Sequence, residues 1–429
     1  MSNRAATITI IILVLVLILL GVGYWWYMSH LSTPGPITNS SNPTGFVPLN
    51  RDSGSGSQSS STGNGSITNS TTTGNQQIGT IKTNPIPVLR LLSNTPVGGY
   101  AASTTGTTTV MRWVDRGRGN VYQTRGDTLN ITTLSNTLLP RLYNSSWNKD
   151  LTAFIGQTLQ DDSETPTSIY AQLQSRAITS TTSASTSFDL RGKNLPDNTI
   201  GYAVSPKKDQ VFLLVKGDTV STGYVTNFDG TKAVQIFTTP LAQLNVDWPS
   251  DNIISITNKG TADRAGYLYF VNPKTGAWTK ILGPLNGLSS RVSQDGKKVF
   301  FSVAGSNADV KSAIYNIASS TITDVVIQTL ADKCVWGNFY KEIVYCAVPF
   351  QPVSGTYPDD WYLGSLSTID KIWQINSITG ETKLVNNLIG QADRVIDAFS
   401  LVLDNKDNFL LFMNKNDLSL WSLDLVRSK

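Results

Sequence analysis

The chain has 429 residues and a formal net charge of +4, and only 15% of its residues are charged. So mild a charge, with no run of lysine or arginine, leaves no electrostatic footprint for nucleic acid. One histidine, His30, precedes the long polar remainder, so Ser-His-Asp, Cys-His and His-ligated zinc chemistry are excluded beyond it.

Residues 1–4 read as a short tail and residues 5–28 as a transmembrane helix. AATITIIILVLVLILLGVGYWWYM carries no charge. At about 1.5 Å per helical residue, roughly twenty such residues cross a hydrocarbon core of about 30 Å. Tyr24, Trp25, Trp26 and Tyr27 close the run as an interfacial belt, since amphipathic rings settle at the headgroup level. A cleaved signal peptide and a buried helix are the alternatives. The run is longer than a usual signal core, and bulky rings stand where a small-x-small cleavage site belongs. Arg4 favours a cytoplasmic amino terminus, which places the remainder outside the cytoplasm on a plasma membrane.

Residues 29–84 are rich in Ser, Thr, Gly and Asn and read as a flexible linker, too poor in apolar groups to offset its ordering entropy. A coil of this length reaches about 40 Å on average. Asn39-Ser40-Ser41, Asn64-Gly65-Ser66 and Asn69-Ser70-Thr71 fit the N-glycosylation pattern, so a glycan-bearing stalk is the second reading.

From residue 85 to 429 the texture is one of short alternating strands in a recurring unit. Its first half is a strand, a polar turn and a β-rich strand, as in Ser205-Pro-Lys-Lys-Asp209-Gln-Val-Phe-Leu-Leu and Ser293-Gln-Asp295-Gly-Lys-Lys-Val-Phe-Phe. Its second half is a hairpin around glycine, as in Asn272-Pro-Lys-Thr-Gly276 and Asn376-Ser-Ile-Thr-Gly380. Asp209 and Asp251 lie 42 residues apart, and Asp251 and Asp295 lie 44 apart. Four strands per such period is the signature of a propeller blade. Seven units fit the length, which predicts an all-β, seven-bladed β-propeller of four-stranded antiparallel blades. The last unit has three strands, through Leu418–Leu425. Ile86–Leu92 stands alone before the first unit, so it is expected to supply the missing outer strand and close the ring.

The S-P-x-x-D-x-V-F-L pattern and the x-x-G-x-x-T-K-I/L-x ending resemble the TolB-type, WD40-like propeller repeats of bacterial envelope proteins. Propellers of prolyl-oligopeptidase-like enzymes are similar as well. The resemblance implies the fold and an envelope setting, without carrying over TolB's particular partners.

Cys334 and Cys346 are equidistant from Tyr340. If Gly337–Lys341 turns the hairpin, the thiols oppose one another within disulfide range. A structural disulfide is expected, with two small buried thiols as the alternative. Pro349–Thr368 is a long insertion between the second and third strands of unit six, and Asp161–Pro166 is an acidic stretch at the equivalent place in unit two. Tyr357, Asp359, Asp360, Trp361 and Tyr362 either form a partner-binding surface or fold back as a lid. Arg125-Gly126-Asp127 spells an adhesion tripeptide, a cheap match, and the blade tryptophans read as core. No cofactor and no metal is expected.

These readings converge on a membrane-anchored extracytoplasmic propeller that binds another envelope or surface protein and is not an enzyme. Two alternatives stay open. One is a carbohydrate-binding propeller. The other is a carboxylate-dependent glycan hydrolase or lyase, which needs no histidine.

Overall fold

The computed structural model describes residues 85–428 apart from 160–165, 177–186, 242, 259, 306–308 and 354. The expected tail, membrane span, aromatic belt Tyr24–Tyr27 and linker lie outside the described residues, as does most of the acidic stretch of unit two. Among the described residues no helix is long and apolar enough to cross a membrane.

The described chain forms seven four-stranded antiparallel sheets. β1 (Leu89–Ser93) comes first and belongs to the last blade. Blade 1 is β2 (Val97–Thr105), β3 (Thr108–Asp115), β4 (Val121–Arg125) and β5 (Ile131–Ser135). Blade 2 is β6 (Leu142–Trp147), β7 (Ala153–Thr158), β8 (Thr167–Ser175) and β9 (Phe188–Asn194). Blade 3 is β10 (Thr199–Val204), β11 (Gln210–Lys216), β12 (Ser221–Asn227) and β13 (Val234–Thr239). Blade 4 is β14 (Leu244–Ser250), β15 (Ile253–Asn258), β16 (Ala265–Val271) and β17 (Trp278–Asn286). Blade 5 is β18 (Ser289–Val292), β19 (Lys298–Ala304), β20 (Val310–Asn316) and β21 (Thr321–Asp324). Blade 6 is β22 (Cys334–Trp336), β23 (Ile343–Pro349), β24 (Asp370–Asn376) and β25 (Thr382–Asn386). Blade 7 is β26 (Ala398–Leu403), β27 (Phe409–Asn414) and β28 (Leu420–Asp424), completed by β1.

Local sequence explains the turns. At the hairpin between the third and fourth strands, Asn272 Oδ1 accepts the amides of Lys274 and Thr275, and Asn376 Oδ1 those of Ile378 and Thr379. Such Asx turns favour a following left-handed residue, which glycine supplies without steric cost. Gly276 has φ 70°, and a Cβ there would sit 1.9 Å from the Ile236 carbonyl of blade 3. At the turn between the first and second strands, Ser205 Oγ accepts the amides of Asp209 and Gln210. Asp404 Oδ1 accepts those of Asn408 and Phe409 at the same place in blade 7. Of the aspartates that set the period, Asp209 Oδ1 accepts the Ser205 hydroxyl and Asp295 Oδ1 the Lys297 amide, so these two are turn formers.

The core lies between blades. One cluster spans blades 1 and 2 through Val114, Leu142 and Phe154. Another spans blades 3 and 4 through Phe212, Leu214, Trp248 and Ile254. Similar clusters join every other neighbouring pair. The one that decides the architecture joins blade 7 to blade 1, packing Leu411, Met413 and Leu420 against Tyr100, Met111 and Trp113. The array is therefore a closed ring. The seam is β1, with Leu89 opposite Leu423 and Leu91 opposite Trp421, in the outermost position expected for Ile86–Leu92.

The ring has two faces. One carries the turns between first and second strands and between third and fourth strands. The chain comes in on this turn face, where Leu425 N bonds Asn408 O and Arg427 Nη1 bonds Ile86 O. The other, the loop face, carries the second-to-third-strand loops and the blade-to-blade connections.

Cys334 and Cys346 are direct partners across β22 and β23, with Cα atoms 4.1 Å apart, and form a disulfide inside the core between blades 5 and 6. Replacing both with alanine is expected to lower stability by roughly 2–3 kcal/mol, because the closed loop is short. Urea unfolding of the double variant measures it, and an unchanged midpoint would show that the bridge contributes nothing.

Candidate functional site

The long insertion of blade 6 occupies the loop face. It leaves β23 at Pro349 and returns at Asp370. Within it lies one short helix, α1 (Asp359–Leu363). Asp360 Oδ2 accepts the Thr356 amide at 2.7 Å at its start, and Gly364 stops it at φ 81°. Acidic residues favour a helix N-terminus and glycine a left-handed C-terminus, so these few residues are enough to fix the turn.

Tyr357 and Trp361 point inward from this loop. They are 0% and 4% exposed and pack with Val310 and Leu330, against Phe399 of blade 7. Asp359 Oδ2 accepts the amide of Ala262 in blade 4 at 2.9 Å. The Tyr362 hydroxyl bonds Asp332, which lies on the connection from blade 5 to blade 6. The loop thus crosses three other blades as a cover. Tyr357 and Trp361 serve packing, Asp359 and Asp360 hold the loop down, and of the five residues Tyr362 keeps the most exposed ring, at 41%.

Under the cover is an ionic cluster. Lys333 Nζ lies 2.7 Å from Asp397 Oδ1, 2.8 Å from Asp370 Oδ2 and 2.6 Å from Thr368 Oγ1. All three charged side chains are fully buried. Asp370 Oδ2 also accepts the Ala398 amide, Asp397 Oδ2 accepts the Thr368 amide, and Trp361 Nε1 donates to Asp397. Burial pushes the Asp370 carboxyl up, and the neighbouring Asp397 adds to this against the pull of Lys333. Burial also pushes on Asp397, but Lys333 and the Thr368 bonds outweigh it and hold Asp397 below the usual carboxylate range. With acceptors filled and Trp361 overhead, this cluster offers no reacting atom to solvent. It ties together the segment before β22, the start of β24 and the segment before β26.

Beside the cover is a cleft of ≈ 320 Å³ between the start of β24 and the connection from blade 6 to blade 7. Ile369, Leu388, Ile389, Val395 and Ile396 line it, and Arg394 stands at its edge. Ile369, Ile389 and Val395 are each at least 40% exposed. The guanidinium is fixed: Nε donates to Asp393 Oδ1 at 2.8 Å and Nη1 to Asp417 Oδ2 at 3.1 Å, with the group 5.9 Å from the Trp421 ring centroid. The Arg394 bonds hold Asp393 below the usual carboxylate range. Exposed Phe350 adjoins through its amide bond to the Ile369 carbonyl, with Lys371 Nζ 4.1 Å above its ring. An apolar hollow of this size with one preset polar group suits a side chain or a short segment of a ligand.

The tripeptide Arg125-Gly126-Asp127 is taken up by the fold. Arg125 pairs with Asp127, and a Cβ on Gly126 would lie 2.6 Å from the Phe409 ring of blade 7. The carbonyls of Arg125, Thr128 and Leu129 receive the Arg90 guanidinium of β1. Sequence reading missed Lys333, Asp370, Asp397 and Arg394. The signal within reach was a charge directly before an apolar strand in KCVW, DKIW and DAF, where a half-buried strand has no outward position for it.

No protein-family model matches the chain, and no curated protein matches it. Solved structures that resemble it include TolB from Acinetobacter baumannii, at 11% identity and TM-score 0.40. That match covers 73% of this chain and 63% of the TolB chain, a little under two thirds of its length. An oligogalacturonate lyase in complex with manganese is matched at 11% identity, TM-score 0.46, over 77% of this chain and 96% of that one. The β-propeller domain of the Trilobed protease from Pyrococcus furiosus is matched at 10% identity, TM-score 0.47, over 76% and 94%. At these scores the matches carry no activity across, and the seven-bladed assignment rests on the paired sheets themselves. Over the described residues the chain is a seven-bladed β-propeller.

Proposed function

We propose that this chain is a membrane-anchored, extracytoplasmic scaffold that binds a protein partner at the loop-face cleft of blades 6 and 7. The cleft carries the reading. Ile369, Ile389 and Val395 stay exposed around ≈ 320 Å³ of space although the adjoining loop buries Tyr357 and Trp361. Arg394 is held by two carboxylates, so it presents a rigid polar edge. The uncharged run at residues 5–28 supports the anchor, and the polar stretch that follows supports a spacer.

A photo-crosslinking residue at Ile389 in cells is expected to trap a discrete partner, read by mass spectrometry. The same residue at Ile322, exposed on the outer strand of blade 5, is expected to trap none. Equal labelling at both positions, or an Ile389 product undiminished by Val395→Asp, would reject the cleft. A glycan array with the same protein reads out the carbohydrate alternative.

A further inference from the structure

We propose that the turn face of blades 6 and 7 rests on an anionic lipid surface, with Phe339 and Tyr340 as its apolar contact. This deepens the anchored reading and rests on it. The turn between β22 and β23 carries two rings outward, Phe339 at 63% and Tyr340 at 38% exposed, set edge to face with centroids 5.0 Å apart. The turn is held in that attitude by its neighbour. Asp407 of blade 7 accepts the backbone amides of Asn338, Phe339 and Tyr340 at 2.8–3.1 Å. The Asn338 side chain bonds the carbonyls of Leu403 and Asp404.

The same end of blade 6 exposes Ile378, the residue after Ser377, whose amide bonds Glu342. Charge completes the surface. Lys341 and Lys406 are exposed at the first-to-second-strand turns of blades 6 and 7. Two of the acids at these turns, Asp404 and Asp407, are buried with their oxygens committed to amides. Rings that settle at a headgroup layer, flanked by lysines drawn to an anionic leaflet, make a peripheral membrane face. The chain comes into the propeller on this same face, at Ile86 beside Arg427, so an amino-terminal anchor delivers it to the bilayer at high effective concentration.

The test uses the full chain reconstituted in vesicles, with Phe339→Cys or Leu363→Cys labelled by an environment-sensitive fluorophore. Leu363 is an exposed control on the loop face. In phosphatidylcholine vesicles containing one-third phosphatidylglycerol, brominated lipid is expected to quench the label at 339 several-fold more than at 363. High salt or Lys341→Glu with Lys406→Glu should remove the difference. Equal quenching at both sites in chains that still float with vesicles would overturn the face contact and leave the anchor standing. Undiminished quenching in pure phosphatidylcholine would overturn the anionic preference. Chains that float with no vesicle would overturn the anchor, and this inference with it.

Discussion

Removing residues 85–92 is expected to convert the closed ring into an open, aggregating array. Blade 7 would lose its outer strand and present β28 as a bare edge. All five residues of β28 are buried in the intact ring, so the new edge is both unpaired and apolar. A sharper variant isolates the clasp without deleting backbone. Arg90, only 7% exposed, donates to the carbonyls of Thr128 at 2.6 Å and Leu129 at 3.2 Å, and to Thr124 Oγ1 at 3.0 Å. It reaches from the last blade into the first, and burial without an acid partner lowers its pKa. Hydrogen bonds to a charged group contribute roughly 1.5–3 kcal/mol each, and the cost of burying the guanidinium takes back part of that sum. Arg90→Ala should therefore cost about 2–4 kcal/mol and also take this donor from the carbonyls of Thr128 and Leu129. Arg90→Lys should recover little, because one ammonium cannot reproduce the planar fork. Urea unfolding followed by the summed tryptophan fluorescence, to which Trp113 and Trp421 on the two sides of the seam contribute, reports the midpoint. A midpoint unchanged by Arg90→Ala, or a deletion variant that stays soluble with the parent's melting temperature, would refute the clasp.

What could be read in the sequence follows from what is local. The Asp turns and Asn-x-x-x-Gly hairpins are short-range hydrogen-bond devices, so their spacing reports the blades. The closing strand could be inferred because a three-stranded last unit and an orphan first strand account for each other. The cysteine pairing followed from register alone. The site was another matter. Lys333, Asp370 and Asp397 span 64 residues and meet only because blades 5, 6 and 7 stack. The same stacking sends Tyr357 and Trp361 inward, which no pattern within Pro349–Thr368 announces. Arg394 reads as an ordinary surface residue until Asp417, on a different loop, takes its Nη1.

Lys333→Ala is expected to be among the most damaging single changes in the domain, costing about 3–5 kcal/mol, because it strands two buried carboxylates. The comparison that makes this specific is the triple variant Lys333→Met, Asp370→Asn, Asp397→Asn. It removes every charge at nearly constant volume and should regain most of the loss, since a buried ion pair is seldom worth more than well-packed neutral groups. The pH profile gives a second readout. Asp370 is raised in the folded state, so the native protein holds that proton more tightly than the unfolded chain, and stability falls as pH rises above the ordinary carboxylate value of about 4. Asp397 is lowered, so its contribution appears as pH rises through the range below about 4 and is lost on acidification. Together the two give this cluster its greatest contribution in mildly acidic solution. Asp370→Asn should abolish the decline on the alkaline side alone. The new amide can donate to Thr368 Oγ1 while that hydroxyl donates to Asp397, so the network keeps its bonds with one titrating group fewer. A profile identical in shape for the parent and Asp370→Asn would mean that Asp370 holds its proton no more tightly in the folded protein than in the unfolded chain. The cover would then owe its position to the packing of Tyr357 and Trp361, with the charges beneath it making no pH-dependent contribution.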